Sequence, residues 1–198
     1  MFRDKNRKPN FRLLEAVLRK ETTERPVLFD FILGQNKEKL LTGNHYNDKT
    51  EFDRVITTIK AFDSGGYDFS PIIIRGLIFA GNSNSLHTKS LNENSIITDR
   101  KTFDSYVWPE ISNCDFSIID KAAWYLADGM KFVPFSYDGI LENSISLIGY
   151  DNLCYLLYDD INVVEDVFEN VGKRITLYFK KCLENTHVGA VILNDDWG

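Results

Sequence analysis

Val188-Gly189-Ala190-Val191-Ile192-Leu193 is a wholly apolar run with Asn194-Asp195-Asp196 directly behind it. Nothing polar alternates within it, so it does not read as a strand with one face in water. It reads as a strand buried on both faces, the pattern of a parallel sheet. Working outward, three further runs share the pattern: Pro26-Val27-Leu28-Phe29-Asp30-Phe31-Ile32, Pro71-Ile72-Ile73-Ile74 and Lys131-Phe132-Val133-Pro134-Phe135-Ser136. Pro26 and Pro71 open their runs, where a missing N–H is tolerated, whereas Pro134 predicts a bulge or an early end. Strands are therefore expected at 27–32, 71–74, 131–136 and 188–193.

Helical patterns fill the intervals. Residues 10–20 place Leu13, Leu14, Val17 and Leu18 on one face behind Asn10 as N-cap. Thr50 and Asp53 have capping-box spacing ahead of Phe52, Val55, Ile56, Ile59 and Phe62, and Ser64-Gly65-Gly66 ends that helix. Further helices are expected over 115–127, 140–148 and 153–158. A longer one carries Ile161, Val164, Val167, Phe168, Val171, Ile175, Tyr178, Phe179 and Cys182. Tyr155, Tyr158, Phe168, Tyr178 and Phe179 are expected to pack as an aromatic face. Residues 80–102 are rich in Asn, Ser and Thr and read as a long polar loop with a hairpin around 95–98; His87 falls within it.

Apolar strands separated by helices indicate α/β architecture with parallel βα units. A complete eight-stranded βα barrel usually needs about 250 residues, and this chain has 198. The residue patterns leave two forms open, a small open sheet or half of a barrel. The whole chain is expected to be a single domain, 1–198. Hydrophobic residues make up 43% and charged residues 26%, an ordinary soluble globular composition. The net charge of −6, without a dense basic cluster, argues against nucleic acid as a partner. No apolar run approaches the roughly 20 residues of a membrane span, and the Met1-Phe2-Arg3-Asp4-Lys5 start has no apolar signal core. Three widely spaced cysteines, Cys114, Cys154 and Cys182, fit a reducing cytoplasm better than a disulfide framework. The expected location is therefore the cytoplasm, with no membrane partner.

Several strings occur in a fixed order: Arg25-Pro26-Val27, Gly139-Ile140-Leu141-Glu142 and Leu147-Ile148-Gly149-Tyr150-Asp151-Asn152-Leu153, then Leu157-Tyr158-Asp159-Asp160 and Asn194-Asp195-Asp196-Trp197-Gly198. Together they resemble the uroporphyrinogen decarboxylase superfamily, within it the branch of cobalamin-dependent methyltransferases, and the likeness runs along nearly the whole chain. It implies a partial (β/α)8 TIM barrel, the N-terminal half with about four parallel strands. It further implies methyl transfer between a corrinoid and a thiol, with zinc bound through a His-x-Cys pair and a later Cys. Those ligands belong to the second half of such a barrel, and none of His45, His87 and His187 has a cysteine two residues away. No cofactor is therefore expected within this chain; zinc and a corrinoid are implied for a complete relative. The alternatives are uroporphyrinogen decarboxylase of porphyrin biosynthesis, or a non-catalytic remnant. The decarboxylase carries arginines after the first strand and an acid after the second. Here those segments read Phe29-Asp30-Phe31-Ile32-Leu33-Gly34-Gln35 and Ile72-Ile73-Ile74-Arg75-Gly76.

Barrel enzymes build their sites at the C-terminal ends of strands, which selects Asp30, Arg75, Tyr137, Asp138, Asp195 and Asp196. Asp195 and Asp196 are the candidate catalytic acids, able to accept a proton or hold a polar substrate, and a helix cap is the competing role. Asp30, Arg75, Tyr137 and Asp138 are candidate substrate contacts. For Asp30 the competing role is a structural ion pair with Arg75; for Asp138 it is a turn ahead of Gly139. Trp108 is expected as a buried anchor. Expected partners are a small-molecule or corrinoid substrate and, because half a barrel leaves two apolar sheet edges, a C-terminal half-barrel or a second copy. The chain alone is expected to be catalytically silent. If Asp196 is a site acid, Asp196→Asn in the assembled enzyme lowers turnover with an unchanged thermal midpoint; equal losses of both would identify a cap.

Overall fold

The computed structural model describes residues 7–79, 95–136 and 138–195. It is a mostly helical α/β protein with a two-stranded parallel sheet. The chain divides into two compact units. The first comprises Met1–Ile73, Phe116–Phe135 and Cys182–Ile192; the second comprises Ile74–Asp115, Ser136–Lys181 and Leu193–Gly198.

The first unit holds α1 (Phe11–Leu18), α2 (Gln35–Thr42), α3 (Glu51–Gly65), β1 (Phe69–Ile72), α5 (Ser117–Ala123) and β2 (Lys131–Pro134). Asn10 caps α1 by accepting the Arg12 N–H at 3.2 Å. The Thr50/Asp53 capping box forms on α3, and Gly66 ends that helix in the left-handed conformation at φ 88°, which only Gly adopts without strain. β1 begins two residues earlier than the sequence suggests and carries Pro71 inside it. The Ile72 carbonyl accepts from the Phe135 N–H, so by alternation Ser70 and Ile72 face β2. Pro71 therefore turns its missing N–H away from β2, where no ladder bond is lost. Phe69 pairs with Lys131 and Ile72 with Pro134, in parallel register.

Two expected strands are reduced, and in each case the cause is a backbone donor. Residues 27–32 form no strand. The Asp30 carboxylate accepts the N–H groups of Phe31 (3.0 Å) and Ile32 (3.4 Å), a local turn that takes two donors a ladder would need. Phe29 and Phe31 instead hold the segment through their rings, 5.5 Å from Phe69 and 5.7 Å from Phe135. The run at 188–193 makes isolated parallel bridges, Val188 to Phe132 and Ile192 to Phe135. These differ in register by one residue. Between them lies Pro134, which has no N–H to give, so the ladder breaks and resumes one residue out of step as a bulge does. The expected early strand end at Pro134 is thus observed, with Ile192 N–H donating to the Pro134 carbonyl at 2.8 Å.

The first unit's core gathers Phe11, Leu14, Phe62, Phe69, Met130 and Val133, with Val27, Leu33, Ala190 and Ile192 against it. Beside the core sits a charge that the sequence reading missed. Asp68 is wholly buried and bonds Arg25 through both guanidinium nitrogens (2.5 and 2.9 Å), Arg7 (3.1 Å) and the Asn10 N–H (2.9 Å). Arg25 in turn has its pKa raised, above all by the hydrogen bond to Asp68.

The second unit holds α4 (Arg100–Ser105), α6 (Ile140–Ile148), α7 (Tyr150–Asp159) and most of α8 (Ile161–Leu183). α8 buries Val163, Val164, Val167, Val171, Ile175, Tyr178 and Phe179. The Tyr178 hydroxyl accepts the Ile74 N–H at 3.0 Å. The expected long loop is shortened at its far end: its span 80–94, with His87, lies outside the described residues, and α4 already starts at Arg100 behind an Asp99/Thr102 capping box. The N-terminal side of the hairpin expected around 95–98 lies outside the described residues; the Ile96 and Ile97 N–H groups both donate to the Leu147 carbonyl. The helix expected over 115–127 is confined to α5. Trp108 is half-buried, with the Arg174 guanidinium 4.9 Å over its ring. Of the expected aromatic face, Tyr178 and Phe179 are buried, but Tyr155 and Tyr158 stand in solvent. Among the described residues, no helix is long and apolar enough to cross a membrane.

Removing the carboxylate of Asp68 leaves two guanidinium groups and an amide without their acceptor. Asp68→Ala is expected to lower the unfolding free energy by about 3 kcal/mol, read as a lower urea midpoint. Arg25→Ala, which removes the two-pronged contact, is expected to lower it as well.

Candidate functional site

The polar residues that follow β2 and those that follow the 188–192 run meet at the N-terminus of α6. Gly139 precedes the helix. Its N–H donates to Glu142 Oε2 at 2.6 Å, the return half of a capping box. A glycine has no side chain to complete that box, and Asp195 completes it from elsewhere in the sequence. Its carboxylate accepts the Ile140 N–H at 2.6 Å and the Leu141 N–H at 3.1 Å. These are two of the donors that a helix start leaves open, and a negative charge there is favoured by the helix dipole. Gly139 is required for this approach, because a Cβ at that position would overlap the Asp195 side chain. Of the two roles open for Asp195, the geometry accounts for the cap, on a helix 55 residues away in sequence.

Asp138 lies next to this cap. Its backbone carbonyl accepts from the Asn143 side-chain amide at 3.1 Å. Its carboxyl is half-buried, and that burial raises its pKa above the ordinary 3.8, since desolvation disfavours the charged form. Ser136, two residues earlier, has a buried Oγ with no hydrogen-bond partner among the described residues. A serine hydroxyl donates and accepts, and a protonated carboxyl does the same. The pair therefore offers hydrogen-bonding groups to a polar partner, the Ser136 hydroxyl as donor or acceptor and the Asp138 carboxyl beside it.

The remaining candidates are placed elsewhere. Asp30 belongs to the first unit, where it organises its own turn, and Arg75 is an exposed residue of the second. Tyr137 and Asp196 lie outside the described residues. The structure thus brings together Asp138 and Asp195 of the six. It adds Glu142, Ser136 and Asn143, which the sequence reading did not single out. Glu142 was detectable, three residues beyond Gly139 at capping-box spacing. Ser136 gave no signal, because a lone serine at a strand end has no pattern. Among the described residues no group of His, Cys, Asp and Glu side chains could hold a metal ion.

The raised Asp138 pKa has a direction that can be measured. Above the folded-state value both folded and unfolded chains carry the charge, and the folded state bears its full desolvation cost. As pH falls through that value the folded state takes up the proton first, and the cost is gone below the unfolded value of about 3.9. Asp138→Asn is therefore expected to raise the thermal midpoint at pH 7, with the gap over wild type closing as pH falls towards about 4. Compared with known proteins, the chain matches no family model, no curated protein and no solved structure.

Proposed function

We propose that this chain supplies the first strands of a partial (β/α)8 barrel of the uroporphyrinogen decarboxylase superfamily, on its corrinoid-dependent methyltransferase branch. In this reading the chain is a fragment or subunit that is inactive alone and contributes a substrate-facing rim. What carries the reading is sequential order: β1 pairs with β2, and β2 with the 188–192 run, all parallel and in chain order. A barrel orders neighbouring strands that way, and it places chemistry at the strand ends. The five strings that resemble the family support the same assignment, since they occur in the family's order.

The residues have distinct tasks. Asp195 holds the start of α6 and so sets the loop at Gly139. Asp138 and Ser136 present hydrogen-bonding groups beside it, suited to a polar part of a substrate or to the amide side chains of a corrinoid. Asp196 remains the proposed proton acceptor. A corrinoid, when bound, supplies a methyl group that leaves to a nucleophile. The chain's own part is to orient the corrinoid's polar periphery through Ser136 and Asp138.

The test is reconstitution. With methylcobalamin and a thiol, the isolated chain is expected to give no demethylation. Co-expression with the last four βα units of a methyltransferase relative is expected to give a soluble complex with demethylating activity. Asp138→Asn should weaken corrinoid binding in that complex. A complex that decarboxylates uroporphyrinogen would replace the methyltransferase reading with the decarboxylase one. A cooperative, stable monomer that joins no such half would overturn the barrel assignment.

A further inference from the structure

The chain contains two Asp-Gly pairs, Asp128-Gly129 and Asp138-Gly139. Such pairs are weak points of a backbone. The aspartate carboxyl lies within reach of the next amide nitrogen, and glycine has no Cβ to crowd the approach. The structure treats the two pairs differently. Asp128 is an exposed turn residue, and Gly129 takes a left-handed φ of 87°. At Gly139 the N–H donates to Glu142 Oε2 at 2.6 Å, within the reach at which a general base takes a proton. The Asp138 carboxyl is partly buried, and that burial raises its pKa. At a mildly acidic pH it therefore carries the proton that lets water leave more often than an ordinary aspartate does. One peptide thus holds an electrophile, a nucleophile and a base.

We propose that Asp138-Gly139 is a self-modification site, where the chain closes to a cyclic imide and reopens in part as isoaspartate. The Gly139 nitrogen bonds to Asp138 Cγ. Glu142 takes the proton of the Gly139 N–H and hands it to a carboxyl oxygen, giving a diol at Cγ; one Cγ–O bond then breaks and water leaves. No oxidant or cofactor takes part, and Glu142 ends as it began. Solvent water then reopens the imide. Addition at Cγ restores aspartate, whereas addition at the main-chain carbon yields isoaspartate, in which the chain runs through the former side chain. That product has an extra backbone carbon ahead of Gly139. It converts the Asp138 carbonyl, which accepts from the Asn143 amide at 3.1 Å, into a free carboxylate. It also displaces Gly139 from the position that leaves space for Asp195. Isomerisation therefore loosens the start of α6. The chemistry does not depend on the barrel reading, because it uses a single peptide and one helix end.

The test ages the folded full chain in mildly acidic water enriched in heavy oxygen and maps its peptides by mass spectrometry. Each passage through the imide leaves a heavy atom at the reopened residue, whichever product forms. The intact imide is lighter by one water, and electron-transfer fragmentation separates isoaspartate from aspartate. Label is expected at Asp138 several-fold faster than at Asp128, with isoaspartate among the products. In urea above the unfolding midpoint the two sites should label alike, because the base and the burial are gone. Glu142→Gln keeps an oxygen for the Gly139 N–H but has little basicity. It should slow labelling at Asp138 about tenfold or more and leave Asp128 unchanged. Equal or slower labelling at Asp138 in the folded chain overturns the proposal, as does label with no isoaspartate. A preference for Asp138 that persists in urea, or a folded Glu142→Gln chain that labels like the wild type, overturns it too. If Glu142→Gln does not fold, the comparison of folded and urea-treated wild type decides alone.

Discussion

Parallel neighbours cannot be joined by a tight turn; the chain has to travel back along the strand before it re-enters in the same direction. β1 and β2 are paired that way, and so are β2 and the bridges at Val188 and Ile192. The passages between 72 and 131 and between 134 and 188 are long enough for such a return. The three runs also end in the same direction, and each is followed by the polar residues on which a function can be built. Arg75, Ser136 with Asp138, and Asp195 are the residues that follow.

Where the sequence reading succeeded, the signal was chemical as well as periodic. Asn10, the Thr50/Asp53 box and Gly66 define helix ends because each one satisfies or stops a backbone hydrogen bond. Where it overreached, apolar composition was taken as sufficient for a strand. Residues 27–32 have the composition, but Asp30 in their midst takes two N–H groups for itself. At 188–193 the composition is again right, and a proline on the partner strand withholds the donor that regular pairing requires. Strand formation is a question of where each N–H goes, and hydropathy does not answer it. The Asp68 cluster was invisible for another reason: it unites Arg7, Arg25 and Asp68 across some sixty positions of sequence, and only the fold brings them together.

The candidate site was legible in location and less so in role. Asp138 and Asp195 were singled out because they follow apolar runs, and both gather at the start of α6. Both carboxylate oxygens of Asp195 accept from the first N–H groups of that helix. Asp138 retains a carboxyl that burial biases towards the neutral form. Hydrogen bonding thus separates the two acids: Asp195 accepts from amide donors of α6, whereas among the described residues no donor reaches the Asp138 carboxyl. Gly139 makes the cap possible, because its missing side chain leaves the space that Asp195 occupies.

The ion cluster at Asp68 and the ring contacts of Phe29 and Phe31 hold neighbouring stretches of the same N-terminal segment, and they respond oppositely to temperature. Charged groups lose hydration free energy as water warms, so the cost of burying Asp68 between its two partly exposed arginines falls on heating. Contacts between apolar rings lose their driving force on cooling. The segment is therefore clamped by charge at its hot end and by rings in the middle of its range. In the cold it is the stretch around Phe29 and Phe31, leaning on two aromatic contacts without a ladder beneath it, that gives way first.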